Sequence, residues 1–118
     1  MSNKALVVIN NSSPIEGQLL KGADKTHLSY KTSDGAFTVT ATSTDLSVKF
    51  VGEGVGYLLA IGENDSSLSL TFNGNPMGYS AINKKVYRFI ENETGFFLTT
   101  EYELEQQSQS ITLSATII

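Results

Sequence analysis

Between Val51 and Phe72 the chain reads VGEGVGYLLAIGENDSSLSLTF. In the second half of this stretch Leu68, Leu70 and Phe72 alternate with Ser67, Ser69 and Thr71. A period of two sends three large apolar side chains to one face of an extended chain and three hydroxyls to the other, which a helix cannot do. In the first half Val55, Tyr57, Leu59 and Ile61 share one face, and Gly56, Leu58 and Ala60 the opposite one. Both of those faces are apolar enough to bury, so residues 55–61 are expected to form a central strand. Gly62-Glu63-Asn64-Asp65 between the halves is a hairpin turn, and the pair is placed in the middle of an antiparallel sheet.

The same alternation recurs along the chain. It predicts strands over 4–9, 15–20 (broken by Gly17), 26–31, 36–41, 46–50, 86–92, 96–107 and 111–117. Asp34-Gly35 is the strongest hairpin signal, because that pair tolerates the positive φ of a tight turn. Asn73-Gly74-Asn75-Pro76 opens a segment expected to run as a loop to Lys85. No eleven-residue window carries a helical period. About ten short strands with regular turn signals predict an all-β, single-domain antiparallel β-sandwich over 1–118, and 118 residues are enough for one hydrophobic core.

Charge and composition narrow the function. Eight basic and twelve acidic side chains give a net charge of −4, which disfavours nucleic acid as a partner, since the phosphate backbone is met by a basic stripe. Anionic lipid is not attracted by simple charge either, so a membrane partner would be recognised by shape or apolar contact. Without cysteine the chain has no disulfide, thiolate or cysteine–zinc chemistry. No apolar run approaches the ~18 residues of a membrane span, and residues 5–9 are too short for a signal-peptide core. A cytoplasmic protein, or one secreted without a cleaved signal and peripheral on its target membrane, is expected.

No residue set announces a reaction. The one histidine, His27, lies in a strand pattern with no Ser–Asp partners nearby, so a structural or surface role is expected. Glu101, Glu103 and Glu105 are read as one solvated strand face that discourages edge pairing, rather than as a calcium site. Glu63, Asn64 and Asp65 are read as turn residues. Gly52, Gly54 and Gly56 lack the helix that a phosphate loop needs, and mark a bulge or a close backbone approach. No metal site, cofactor or enzymatic activity is expected. Most aromatic residues fall on apolar strand faces and read as core. Tyr79 stands in the predicted loop, and Tyr87 and Phe89 flank Arg88 beside Lys84 and Lys85. An aromatic group next to a basic cluster can stack on a sugar or insert at a lipid interface, although packing under the loop is the favoured reading for Tyr79.

Residues 51–78 resemble the mid-chain of the aegerolysins. Gly52-Glu53-Gly54-Val55-Gly56-Tyr57 is similar to the family's glycine segment and aromatic strand. Leu68, Leu70 and Phe72 match its alternating strand, and Asn75-Pro76-Met77-Gly78 its following loop. ALVVINNSS near the start looks like the family's first strand, and 87–104 like its closing hairpin. The resemblance implies a β-sandwich that docks without catalysis on a membrane lipid head group, and that acts with a larger pore-forming partner protein as the small component of a two-part cytolytic or insecticidal toxin.

A lipid-contacting surface of Tyr79, Lys84, Lys85, Tyr87 and Arg88 is therefore the first expectation. A lectin-like sandwich using the same residues on a glycan is the second. An assembly subunit whose strand edges pair between copies, making a homo-oligomer, is the third.

Overall fold

The structure, a computed structural model, describes residues 3–118. Eleven strands follow one another: β1 (Asn3–Ile9), β2 (Ile15–Lys21), β3 (Thr26–Thr32), β4 (Gly35–Ala41), β5 (Leu46–Gly52), β6 (Val55–Ile61), β7 (Ser66–Phe72), β8 (Asn75–Ala81), β9 (Asn83–Asn92), β10 (Gly95–Leu104) and β11 (Gln107–Ile117). They form one antiparallel sheet in the order β8-β7-β6-β5-β4-β3-β2-β1-β11-β10-β9. Among the described residues no helix is long and apolar enough to cross a membrane.

The all-β antiparallel expectation holds, but the two separate layers of a sandwich do not form. The first strand pairs with the last, Val7 opposite Ala115 and Ile9 opposite Leu113, so the sheet has no break there. Its two outermost strands, β8 and β9, are consecutive in the chain and separated only by the buried Ile82. The chain pairs with β7 through Ala81 and with β10 from Asn83 onward. The Ile82 amide donates to the carbonyl of Ser66 at the join. The sheet therefore curls into a nearly closed barrel.

Inward residues line up in tiers across the hydrogen-bonded strands. One tier is aliphatic, Leu19–Leu28–Val39–Val48–Leu59–Leu68. The neighbouring tier is aromatic, Tyr30–Phe37–Phe50–Tyr57, with Gly17 opposite Tyr30 and Leu70 opposite Tyr57. β10 and β11 add Phe96, Leu98, Leu113 and Ala115 to the same core. Burial of each such side chain stabilises by roughly 1.5–3 kcal/mol, which is what holds the alternating segments extended.

Four local expectations are corrected. Gly17 does not break β2; it is an inward position where a Cβ would lie 2.9 Å from Val7 Cγ2 and 3.2 Å from the Tyr30 Cβ, so only glycine leaves space for its neighbours. The segment after Asn73 is not a loop but strand β8, entered through an Asn73–Gly74 turn with φ of 50° and 80°. β10 ends at Leu104, where Glu105 and Gln106 turn at φ of 51° and 68°, so Glu105 leaves the strand face of Glu101 and Glu103. The outer face of β6 is uncovered, with Leu58 42% exposed, because there is no second sheet to cover it.

Candidate functional site

The surface expected to meet lipid or glycan divides between the two faces of the sheet. Tyr79 pairs with Ser69, and Ser69 with Leu58, on the outward face of β8–β7–β6. Tyr79 is 72% and Met77 66% exposed, so this edge presents free apolar side chains. Arg88 is exposed opposite Thr99, and Lys85 is held by Glu103 at 2.8 Å. Lys84 lies opposite Tyr102 beside a bulge in the β9–β10 ladder.

Tyr87 does not belong to that surface. It pairs with the buried Thr100 on the inward side. Its hydroxyl donates to the Thr42 carbonyl at 2.6 Å, with the Asp45 carbonyl 3.1 Å away. Burial, and then the neighbouring Asp45 carboxylate, pushes its phenol pKa up. Tyr87 thus anchors β9 to the β4–β5 turn. Thr26, which donates to Glu91, and Lys21, which donates to the Asn92 carbonyl, fasten the far end of the same strand.

Other singled-out residues are accounted for locally. His27 Nδ1 lies 3.1 Å from Thr40 Oγ1 across the β3–β4 ladder. Gly54 makes the β5–β6 turn at φ 75°, and β6 rather than a helix follows it. At Gly56 a Cβ would come within 2.8 Å of Thr71 Oγ1, a close approach of the kind expected there. Among the described residues no three or more His, Asp or Glu side chains are grouped to hold a metal ion.

One concave feature lined by core side chains lies inside the barrel. A cavity of about 390 Å³ opens between the ends of β1, β2 and β3. Its walls include Ile15, Val39, Val48, Ile111 and Leu113, and its mouth carries Asn10, Ser12, Thr32 and Asp34. Tyr30, Phe37 and Tyr57 from the aromatic tier line it. Along that tier ring centroids are 4.9 Å apart for Tyr30–Phe37, 4.7 Å for Phe37–Phe50 and 5.3 Å for Phe50–Tyr57. The first and last of these pairs are stacked, so four rings on four strands make a nearly continuous π-surface. The sequence pattern marked these rings as core. Their juxtaposition depends on strand register, which local alternation does not carry.

The interior also gathers phenols. Burial, then Tyr57, raises the Tyr30 pKa; burial, then Tyr102, raises that of Tyr57; burial raises that of Tyr102. A phenol is uncharged when protonated, so a raised folded-state pKa means that the native state keeps the proton longer than the unfolded chain does. The resulting stability is complete below the ordinary tyrosine value of ~10 and is lost as pH climbs from there through the folded-state values. Cooperative unfolding above about pH 10 is expected. Tyrosinate absorbance and far-ultraviolet circular dichroism, followed together in an alkaline titration, should change in one step for these buried phenols.

No protein-family model and no curated protein matches the chain. The crystal structure of the ywiB protein from Bacillus subtilis has a similar fold, with a TM-score of 0.71 at 12% sequence identity, covering 99% of this chain and 90% of that one.

Proposed function

We propose that this protein is a non-catalytic binder of a small, largely apolar molecule held inside the barrel. The observation that carries this reading is the preformed cavity of about 390 Å³, with a wall of aliphatic and aromatic side chains that includes the Tyr30 and Tyr57 phenols, and with Asn10, Ser12, Thr32 and Asp34 at its mouth. Ligand sites commonly have this size and this distribution of polar groups, and the mouths of β-barrels are frequent places for them. A neutral fluorescent probe, N-phenyl-1-naphthylamine, should bind saturably at a single site. Val48→Phe, which fills the cavity from a 6%-exposed position, should lower probe affinity by about tenfold or more. Urea unfolding of the variant separates loss of binding from loss of fold. Wild-type affinity in a folded Val48→Phe protein would refute the reading.

A second reading, membrane-lipid recognition at the β8 edge as the small partner of a larger pore-forming protein, is favoured by the outward, highly exposed Tyr79 and Met77. Aromatic and apolar side chains free of core packing suit insertion at a lipid interface. Flotation with liposomes of varied head group should then carry the protein upward, and Tyr79→Ala should reduce the floated fraction severalfold. Absence of flotation with every lipid would remove this reading.

A further inference from the structure

The cavity wall has a charge pattern as well as an apolar one. Its lining contains no lysine, arginine or histidine. Its one charged group is the Asp34 carboxylate in the exposed β3–β4 turn, whose backbone amide donates to Thr32 Oγ1 at 3.2 Å. Of the cations on these strands, Lys21 lies at the far end of β2, where it donates to the Asn92 carbonyl, and Lys31 and Lys49 face away. Lys31 pairs with Ala36 and Lys49 with Thr38, one residue out of step with the inward Tyr30 and Phe50. A molecule entering here passes a carboxylate, an amide and two hydroxyls, then meets the stacked tier. Aromatic faces carry negative quadrupole charge and attract cations, and they repel a carboxylate placed against them.

Building on the cavity reading, we infer that the site selects an organic cation, an alkyl- or aryl-ammonium, over an anion of the same apolar length. The ammonium sits at the mouth between Asp34 and the rim of the aromatic tier. The apolar part runs inward along Val39, Val48 and Leu113. The interior phenols remain neutral through the physiological range, because burial raises Tyr30, Tyr57 and Tyr102. They add no competing negative charge. The net charge of −4 on the chain acts in the same direction at long range.

Calorimetric titration of the full chain with octyltrimethylammonium, octanol and octanoate, each below its aggregation concentration, tests this. The ammonium should bind most tightly, and at least about tenfold more tightly than octanoate. Asp34→Asn should shrink that ratio to about threefold, while Asp24→Asn, in the turn between β2 and β3, leaves it unchanged. Octanoate binding as well as the ammonium, or an unchanged ratio in Asp34→Asn, overturns the inference. If the neutral naphthylamine binds but the ammonium does not, the cation assignment fails while the cavity reading stands. If neither binds, both fail.

Discussion

Gly95→Ala is expected to lower stability by on the order of 4 kcal/mol. Gly95 opens β10 directly after the Glu93–Thr94 turn. A Cβ at this position would lie 1.8 Å from the carbonyl oxygen of Ala115 and 2.9 Å from its carbonyl carbon. Those obstacles are backbone, which cannot swing aside as a side-chain tip can. They are also backbone held from both sides, because β11 is hydrogen-bonded to β10 on one edge and to β1 on the other. Relief would require peeling the ladder that closes the N-terminal strand onto the C-terminal one. Urea unfolding followed by circular dichroism provides the check. A midpoint equal to that of the wild type would mean that β10 and β11 do not approach each other as described.

Leu28→Ala should cost about 2–5 kcal/mol, the range for truncating a leucine where the surroundings cannot collapse. Leu28 is 1% exposed and sits between Leu19 and Val39 in the aliphatic tier. Leu58→Ala is the matched control, because Leu58 is 42% exposed on the outer face of β6. It should cost well under ~1 kcal/mol. Equal losses for the two variants would mean that the outer face of β6 is buried as deeply as the inner tier. The comparison bears directly on the barrel, since Leu58 would be core if a second sheet lay over it.

Much of this fold was legible in the alternation of residue types. Phe37, Val39 and Ala41 identify a strand because one of its faces turns to the core, and Leu68, Leu70 and Phe72 alternate as cleanly although Leu70 is 43% and Phe72 51% exposed. β8 escaped the same test because six of its seven residues are exposed, so no face had to be apolar. Its Pro76 and Gly78 also read as turn formers, and Pro76 is accommodated beside an irregularity in the β7–β8 ladder. Barrel and sandwich share one local pattern. What separates them is a pairing across more than a hundred residues, Ala5 with Ile117, and no periodicity encodes that. The same reason hid the cavity. Tyr30, Phe37, Phe50 and Tyr57 were each recognisable as inward side chains, but their stacking is set by register. Tyr79, expected in a loop and packed under it, stands instead on β8 and is 72% exposed. Tyr87, its neighbour in the expected surface, proved to be an internal anchor, since its strand turns that side chain inward.

The meander has a kinetic corollary. Nine of the ten ladders join strands adjacent in the chain, and only β1 with β11 joins distant ones. Neighbouring hairpins pay little loop entropy, whereas the distant pair closes nearly the whole chain. Assembly should therefore run as a growing ribbon, and the meeting of the two terminal strands should be its late, slow event. Substitutions at Val7 or Ala115 would then accelerate unfolding while leaving the refolding rate almost untouched.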